Sequence, residues 1–367
     1  MIRRPKNAIF TDSFAGLVKS HRKSMKVLTL FSENVFRIFI FQKRMRSMYK
    51  VFEELSLMGI VPVIALDRPE DAEPLAKALL DGGIRCAEVT FRTAAAEESI
   101  RIISEKFPEM IVGAGTVLTT EQVDRAVDAG AKFIIAPGLN PKTVSYCVGK
   151  NIPVMPGTAN PSDVEAALEL GLDAVKFFPA EAAGGLPMIK AMSAPYVNMR
   201  FMPTGGIGPD NFLDYLRFKK IVACGGSWMV RKDLVTSGNF AEITRLSKDA
   251  VQKMLGFELR HIGINCENEA EANAAADKLQ GVFGFEKKPG SSSVFAGTAV
   301  EAMNAPGRGT HGHIAIATNF VERAVYYLER QGVEFDKSTE RRKASGELEF
   351  IYLKDEIGGF AYHLIQK

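Results

Sequence analysis

From Gly59 onward, short apolar runs alternate with longer stretches in which apolar residues recur at helical spacing. Eight of the apolar runs have the length and composition of β-strands. They cover residues 61–66, 86–91, 111–117, 132–138, 152–158, 174–180, 200–206 and 221–228. The stretches between them, such as PSDVEAALELGL, open on capping residues and close on glycine, which is typical of helices. The pattern therefore predicts a succession of strand–helix units.

Strands that are apolar on both faces and alternate with helices are typical of parallel sheets covered by helices. Eight such units predict an α/β fold, a closed (β/α)8 TIM barrel, with an open doubly wound sheet as the alternative. In such a barrel, functional side chains gather at the C-terminal ends of the strands, and phosphate binds at the loops after strands seven and eight. The chemistry of this part of the chain is expected at those strand ends.

A second pattern begins after the helical stretch AEITRLSKDAVQKMLGF. The run HIGIN (261–265) precedes a helix that ends GVFGFE, and the run HIAIA (313–317) precedes a helix that ends RQGVEF. Because strand-like runs follow each helix, we expect a smaller α+β domain of two βαβββ repeats. The predicted domains are a TIM-barrel domain over 48–255 and a second domain over 256–367.

Residues 1–47 differ from the rest of the chain in charge. They carry eleven Lys and Arg residues against two acidic ones, whereas the whole chain has a net charge of +3. The remainder is therefore mildly acidic, and nothing in it indicates nucleic-acid binding. The run NVFRIFIFQ is too short, and too interrupted by Arg37, to span a membrane. We expect residues 1–47 to be a poorly ordered basic extension or a misassigned start, and we expect no membrane partner.

The four cysteines, Cys86, Cys147, Cys224 and Cys266, are widely spaced and form no C-x-x-C pattern. Most lie in apolar strand-like runs, so we expect buried free thiols rather than disulfides or zinc ligands. Free thiols of this kind indicate a reducing compartment, and we expect the protein to be cytoplasmic.

The strand AVKFFPA is unusual because it places Lys176 among apolar residues. A buried lysine needs a partner or a task, although a lysine can also extend its amine to the edge of a core. The second strand ends EVTFRT, where alternation puts Glu88, Thr90 and Arg92 on one side. Glu88 would be costly to bury without a counter-charge, which Lys176 or Arg92 can supply. The alternative is a structural ion-pair network inside the barrel.

Two glycine pairs end the seventh and eighth strands, in PTGGIGPDN and CGGSWMV. Glycines let backbone N–H groups approach an anion closely, and serine or threonine adds a hydroxyl donor. We expect a phosphate site formed by Thr204, Gly205, Gly206, Gly226 and Ser227. The alternative is a pair of tight strand-to-helix turns.

A lysine, a carboxylate, an arginine and a phosphate site at one barrel mouth suit one type of reaction. An amine in apolar surroundings is readily deprotonated, and it then condenses with a ketone to give a Schiff base. The iminium accepts electrons when a neighbouring carbon–carbon bond breaks, while a carboxylate moves protons as general acid and base. Arginine binds a substrate carboxylate. These residues therefore predict a class I aldolase that acts on a phosphorylated 2-oxo acid.

The motifs EVTFRT, GAGTVL, IIAPGLN, KFFPAEAAGG, RFMPTGGI and GGSWMV follow one another over about half of the chain. They give residues 48 to about 235 a resemblance to the 2-keto-3-deoxy-6-phosphogluconate (KDPG) aldolase family, whose members also act as 4-hydroxy-2-oxoglutarate (KHG) aldolases. It implies an enzyme that needs no metal or cofactor, is typically a homotrimer, and cleaves KDPG to pyruvate and glyceraldehyde 3-phosphate. Cleavage of KHG to pyruvate and glyoxylate is a second implied activity.

The resemblance also implies roles for single residues. Lys176 would be the Schiff-base lysine, and Glu88 would be the general acid and base. The substrate-binding residues would be Arg92, Thr116, Pro137 and Phe177. The turn PGTANPSD departs from the family's Ser/Thr-rich pattern, which leaves a 6-phosphogalactonate-type substrate open. The rivals are a phosphosugar isomerase or epimerase in which Lys176 is a fixed charge, and a non-catalytic scaffold with a sensing domain.

The second domain resembles the glyoxalase/dioxygenase, or vicinal oxygen chelate, superfamily, in its repeat and in a few residues. Four strand positions of that superfamily bind a divalent metal. The matching residues here are His261, Glu301, His313 and His363. His363 is a departure because glutamate is usual there, but imidazole and carboxylate ligands together suit Zn, Fe, Ni or Mn. The alternative is a domain without metal that has a structural or ligand-sensing task.

Overall fold

The computed structural model describes residues 50–367, so the predictions for residues 1–47 lie outside the described residues. Residues 51–367 form one compact unit. No helix in this range is both long enough and apolar enough to cross a membrane. All four cysteines are free and buried, as their apolar surroundings predict.

The first two thirds of the described chain alternate strands with helices. The strands are β1 (Ile60–Ile64), β2 (Cys86–Thr90), β3 (Ile111–Gly115), β4 (Ile134–Ile135), β5 (Val154–Met155), β6 (Gly157–Thr158), β7 (Ala174–Phe177), β8 (Arg200–Pro203) and β9 (Cys224–Gly226). The helices are α1 (50–58), α2 (Ala72–Asp81), α3 (Ala96–Lys106), α4 (Thr120–Asp128), α5 (Pro141–Lys150), α6 (Pro161–Glu169), α7 (Gly185–Ser193), α8 (Phe212–Leu216), α9 (Lys232–Thr236) and α10 (Phe240–Leu255). A short 3-10 turn at Pro69–Asp71 precedes α2.

Local sequence explains where several of these helices begin. The side chains of Thr119, Asn140 and Asn160 accept hydrogen bonds from backbone N–H groups at the starts of α4, α5 and α6. Proline occupies the first position of α5 and α6, where its missing N–H costs no helical hydrogen bond. These starts follow directly after strands, so the capped helix ends lie on the same side as the strand C-termini.

All strand pairs in this part are parallel, which confirms the predicted α/β class. One sheet has the order β5-β4-β3-β2-β1-β9, and a second has the order β6-β7-β8. Two isolated parallel bridges, Phe201–Ile221 and Thr204–Gly225, place β8 beside β9. The strand order follows the chain order from β1 to β5, as expected for consecutive strand–helix units.

The predicted strand over 152–158 is wrong as a single element, because the structure divides it into β5 and β6. Pro156 lies between the two pieces and has no N–H to donate to a neighbouring strand. Its carbonyl still accepts a hydrogen bond from the N–H of Lys176 at 3.0 Å. Val154 and Met155 pair with β4, whereas Gly157 and Thr158 pair with β7.

The last third of the chain forms one eight-stranded sheet with two helices. Its strands are β10 (Glu258–Asn265), β11 (Lys287–Pro289), β12 (Ser293–Ala296), β13 (Val300–Met303), β14 (Gly312–Thr318), β15 (Phe335–Arg342), β16 (Leu348–Ile357) and β17 (Phe360–Gln366). The helices are α11 (Glu269–Phe283) and α12 (Val321–Glu329). The sheet order is β11-β12-β13-β10-β14-β17-β16-β15, and the sequence of one strand, one helix and three strands occurs twice.

Helix α12 packs against the end of α1. The hydroxyl of Tyr327 donates to the carbonyl of Met58 at 2.9 Å, and Nε of Arg323 donates to the carbonyl of Ser56 at 2.9 Å. Both Tyr327 and Arg323 are buried. The first and last parts of the described chain are therefore joined by specific hydrogen bonds.

Candidate active site and candidate metal centre

Lys176 and Glu88 form a buried ion pair between two strands that lie far apart in the sequence. Lys176 Nζ lies 3.2 Å from Glu88 Oε1, and the exposed fractions of the two side chains are 6% and 0%. The second carboxylate oxygen, Glu88 Oε2, is buried and accepts no hydrogen bond from the described residues. A buried acceptor without a partner requires an explanation, and proton transfer during a reaction provides one.

Two glycines make room for this pair. A Cβ atom on Gly115 would lie 2.3 Å from Glu88 Oε1, so any larger residue there would displace the carboxylate. Gly157 is the cross-strand neighbour of Lys176, and a Cβ on it would lie 2.0 Å from the carbonyl oxygen of Pro137. Both positions thus need a residue without a side chain so that the strands can approach closely.

The aromatic residue beside the lysine amine is Phe178. Its ring centre lies 5.3 Å from Lys176 Nζ, which is within the range of a cation–π contact. Phe177 is fully buried, and strand alternation directs its side chain to the face opposite Lys176. Phe178 is therefore the aromatic residue in contact with the amine, and the substrate-binding role of Phe177 stays a prediction.

The remaining predicted substrate-binding residues follow the C-terminal ends of three neighbouring strands. Arg92 is exposed, and its Nε donates to Thr90 Oγ1 at 3.1 Å. Over residues 50–367 no ion pair joins Arg92 to Glu88, so Lys176 alone supplies the counter-charge. Thr116 has a positive φ of 55°, a strained conformation that non-glycine residues adopt rarely. Pro137 is half-buried.

The predicted phosphate loop after β8 contains a second buried polar atom without a partner. Oγ1 of Thr204 is buried and makes no hydrogen bond within the described part of the chain. A Cβ on Gly225 of the neighbouring strand would lie 2.2 Å from this oxygen. Gly205 and Gly206 have φ values of 98° and 80°, which only glycine adopts readily. A Cβ on Gly205 would lie 3.4 Å from the Phe178 ring, so this loop adjoins the lysine site.

The second predicted loop, after β9, lies beside the first. The bridge between Thr204 and Gly225 joins their strands, and Gly226 and Ser227 follow directly. Ser227 is exposed, whereas Gly226 is buried under the ring of Trp228. A Cβ on Gly226 would lie 2.0 Å from that ring. The structure therefore brings all five predicted phosphate residues to adjacent strand ends.

In the last third of the chain, three histidines converge on one face of the sheet. The ligand nitrogens of His261, His313 and His363 all lie within 4.8 Å of one another. The Nε2 atoms of His261 and His313 are 3.1 Å apart. Glu301 Oε2 lies 3.2 Å from His261 Nε2 and 3.1 Å from His313 Nε2. Three of the four residues predicted to bind metal thus form one cluster, and the fourth, Glu301, contacts two of them.

The protonation chemistry of this cluster suits metal binding. Burial, reinforced by His313 and His261, lowers the pKa of His363 to about 3, so its imidazole is neutral at physiological pH. Burial raises the pKa of Glu301, but hydrogen bonds from His261, His313 and Ser293 outweigh it and hold the pKa well below its usual range. The neutral imidazole of His363 and the ionised carboxylate of Glu301 are the forms that bind divalent metals.

The spacing of these atoms also fits a metal ion. Two ligands that each lie about 2.0–2.1 Å from a tetrahedral zinc ion are about 3.4 Å apart, close to the 3.1 Å between His261 and His313. Ser293 Oγ donates to Glu301 Oε1 at 2.6 Å and so orients the carboxylate from behind. A Cβ on Gly263 would lie 2.1 Å from the His313 ring, so this glycine provides the space that the imidazole occupies.

Comparison with known proteins gives a consistent result for the first part of the chain. Residues 51–246 match the family model described as KDPG and KHG aldolase. A 2-dehydro-3-deoxy-phosphogluconate aldolase from Haemophilus influenzae is 51% identical over 202 residues, which cover 55% of this chain and 95% of the relative. The enzyme of the same description from Treponema pallidum is 47% identical over 205 residues, covering 56% and 98% respectively.

A solved structure agrees with these relatives. The KDPG aldolase of Legionella pneumophila, with pyruvate captured as a covalent carbinolamine intermediate, is 38% identical and aligns with a TM-score of 0.53. The alignment covers 54% of this chain and 97% of the Legionella chain. Each of these matches therefore spans nearly a whole relative and about half of this chain.

Proposed function

This chain belongs to the KDPG and KHG aldolase family, and we propose that it cleaves KDPG to pyruvate and glyceraldehyde 3-phosphate by a class I, Schiff-base mechanism. The observation that carries this proposal is the buried contact of 3.2 Å between Lys176 Nζ and Glu88 Oε1. A nucleophilic amine and a proton acceptor within hydrogen-bond distance are what Schiff-base formation needs. KHG, which has the same 2-oxo acid end without a phosphate, is the proposed second substrate.

The first half of the reaction forms the Schiff base. The Lys176 ammonium transfers a proton to Glu88, and the free amine attacks the C2 carbonyl of the substrate. Protonation of the resulting carbinolamine hydroxyl by the Glu88 carboxylic acid allows water to leave, which gives the iminium. At this point Glu88 is again a carboxylate, and the positive charge has moved to the substrate nitrogen.

The second half breaks the carbon–carbon bond. The Glu88 carboxylate takes the proton of the C4 hydroxyl, directly or through water, and the C3–C4 electrons move into the iminium to give an enamine. Glyceraldehyde 3-phosphate leaves, and Glu88 returns its proton to C3. Water then hydrolyses the iminium, which releases pyruvate and restores the Lys176 ammonium. The proton count on Glu88 and Lys176 is unchanged over one cycle.

The surrounding residues position the two ends of the substrate. We assign Arg92, Thr116 and Pro137 to the carboxylate end, because they follow the C-terminal ends of β2, β3 and β4. We assign the phosphate to the paired loops after β8 and β9. The buried hydroxyl of Thr204 supports this assignment, since a phosphate oxygen would supply the acceptor it lacks among residues 50–367.

Two variants and two substrates test the proposal. Lys176→Met should abolish pyruvate release from both KDPG and KHG, because it removes the amine while keeping an apolar chain of similar length. Thr204→Val should lower kcat/KM for KDPG by about tenfold or more and leave that for KHG within about twofold, since only KDPG carries a phosphate. Equal losses for both substrates would contradict the phosphate assignment. Faster cleavage of the C4 epimer of KDPG would instead favour the 6-phosphogalactonate-type substrate.

We also propose that the two parallel sheets close into one (β/α)8 barrel. The bridges between β8 and β9 support closure on one side, and the single residue Pro156 between β5 and β6 supports it on the other. The predicted homotrimer and cytoplasmic location belong to the same proposal. Light scattering of the purified protein tests the first, and fractionation of the producing cells tests the second.

A second function is favoured by the histidine cluster. We propose that His261, Glu301, His313 and His363 bind a divalent metal within a domain of two βαβββ repeats over 256–367. When bound, the metal would polarise an oxygen of a small substrate as a Lewis acid, and the protein residues would hold and orient it. A reactive aldehyde or 2-oxo acid is the proposed substrate class, on the basis of the adjoining aldolase.

Metal analysis of the full-length protein tests this second function. We expect about one equivalent of Zn, Fe, Ni or Mn per chain in wild type, and a loss of most of it in His313→Ala. Pyruvate release from KDPG should be unchanged in this variant, because the histidine lies in the other sheet. A wild-type protein that neither contains metal nor takes it up would contradict the metal assignment and leave the aldolase assignment intact.

A further inference from the structure

A cavity of about 370 Å³ lies where α12 meets the N-terminal ends of β1 and β9. Its lining comes from α1, from the segment before β9, from the start of α12 and from the turn between β15 and β16. Lys176 lies near the C-terminal end of its strand, so the cavity is at the other end of these parallel strands from the aldolase site. Its volume lies within the range of about 300–1,000 Å³ that is usual for small-molecule sites.

The cavity contains a buried cation without a counter-ion. Arg323 lines it and is 8% exposed. Its Nε donates to the carbonyl of Ser56, and its guanidinium lies 4.4 Å from the ring centre of Phe320. No carboxylate within residues 50–367 forms an ion pair with Arg323, and burial lowers its pKa. A buried guanidinium normally has an anionic partner, because desolvation of an unpaired charge is costly.

The start of α12 faces the same space. Residues 320–323 line the cavity, and Phe320, at the N-cap, provides no side-chain acceptor for the N–H groups of the first turn. The N–H of Val321 donates to Gln366 Oε1 at 3.4 Å, so the backbone donors offered to a ligand are those that follow it in this turn. Unsatisfied N–H groups and the helix dipole give the beginning of a helix a partial positive charge. The buried guanidinium of Arg323 thus lies on the turn of the helix that also offers backbone donors to an anion.

The other charged residues around the cavity add to its positive character. The remaining cations of the lining are Arg217, Lys219, Lys343 and Lys367, and its carboxylates are Glu322 and Glu347. Both carboxylates already have partners, since Glu322 lies 2.8 Å from Arg342 and Glu347 lies 3.0 Å from Lys219. Within the described range, Lys343 forms no ion pair. The cavity therefore keeps at least two cations that no carboxylate of the described chain neutralises.

We propose that this cavity binds a small phosphorylated metabolite, with its phosphate between the start of α12, Arg323 and Lys343. The backbone donors and a guanidinium are the groups that proteins use most often to hold phosphate. Arg217 comes from the aldolase part of the chain, whereas Arg323 and Lys343 come from the last third. Because Ser56, Leu57 and Arg217 of the aldolase part also line the cavity, a ligand that fills it beyond the phosphate contacts both parts and stabilises their contact.

Hydrogen–deuterium exchange of the full-length protein, with and without inorganic pyrophosphate, tests this proposal. Exchange reports binding at each loop separately, so the cavity can be distinguished from the aldolase phosphate loops around 204–206. We expect pyrophosphate to slow exchange of the amides at 320–324. In Lys343→Glu, half-maximal protection should need about tenfold more pyrophosphate or more, because the substitution replaces a phosphate contact by a repulsive charge.

The matched control is Lys354→Glu. Lys354 is an exposed lysine that pairs with Glu334, and it does not line the cavity. The control should keep wild-type protection at 320–324, and both variants should keep the response at 204–206. Protection confined to 204–206 in wild type, or the same protection at 320–324 in both variants, would overturn the proposal. Protection by citrate but not by pyrophosphate would overturn the assignment to phosphate.

Discussion

Removal of the Glu88 carboxylate should affect stability and activity together, because the same contact serves both. In Glu88→Gln, the side-chain shape is kept but Lys176 loses its counter-charge in a site where the two side chains are 0% and 6% exposed. At the observed separation of 3.2 Å and an effective dielectric constant of about 20, the lost attraction is about 5 kcal/mol. Loss of one partner of a buried pair typically costs about 3–5 kcal/mol, and we expect the loss in Glu88→Gln to fall in this range.

A double-mutant cycle measures this coupling. We expect Glu88→Gln and Lys176→Met each to lower the urea midpoint of unfolding, and the double variant to lose less than the sum of the two, by about 2–3 kcal/mol. Cleavage of KDPG by Glu88→Gln should fall by about 10²–10⁴-fold, the usual contribution of a general acid and base. Additive stability losses with a coupling below about 0.5 kcal/mol would show that the two side chains do not stabilise each other, and near-normal turnover in Glu88→Gln would exclude Glu88 as the general acid and base.

Three further predictions concern glycine contacts and thiol chemistry. Gly115→Ala should lower KDPG cleavage by about tenfold or more, because its Cβ would lie 2.3 Å from Glu88 Oε1. The control Gly138→Ala, whose Cβ would meet no atom within 4 Å, should keep wild-type activity, and equal activities of the two variants would contradict the predicted displacement of Glu88. Gly263→Ala should reduce the amount of bound metal, because its Cβ would lie 2.1 Å from the His313 ring. The control is Gly281→Ala, whose Cβ would meet no atom within 4 Å and whose metal content should not change. Burial and Asp124 raise the pKa of Cys147 to about 12. At mildly alkaline pH the peptide that contains Cys147 should therefore be alkylated about a thousandfold more slowly in native than in unfolded protein, and similar rates would argue against its burial.

The parallel strand pattern and the contact between Lys176 and Glu88 could be predicted because both follow from local sequence. Alternation within β2 and β7 places Glu88 and Lys176 on defined strand faces, and burial then favours opposite charges as partners. The same rule indicates Phe178 rather than Phe177 beside the amine. The division of the strand over 152–158 was predictable in principle, because Pro156 cannot donate a hydrogen bond to a neighbouring strand.

Other features depend on contacts between distant segments and leave no local signal. The cavity beside α12 is formed by residues as far apart in sequence as Ser56, Arg217 and Arg323. Neither the alternation of the strands nor the amphipathic face of α12 indicates that an arginine there lacks a counter-ion. The hydrogen bond from Ser293 to Glu301 also leaves no signal in the local sequence, because it depends on how β12 and β13 pair.

In the proposed mechanism the Lys176 amine forms a covalent intermediate with the substrate. Borohydride reduction in the presence of pyruvate, followed by intact mass measurement and peptide mapping, detects this intermediate. We expect wild type to gain one reduced pyruvyl unit on the peptide containing Lys176, and Lys176→Met to gain none. A wild-type protein that releases pyruvate from KDPG but gains no adduct, or an adduct that persists in the variant, would contradict it.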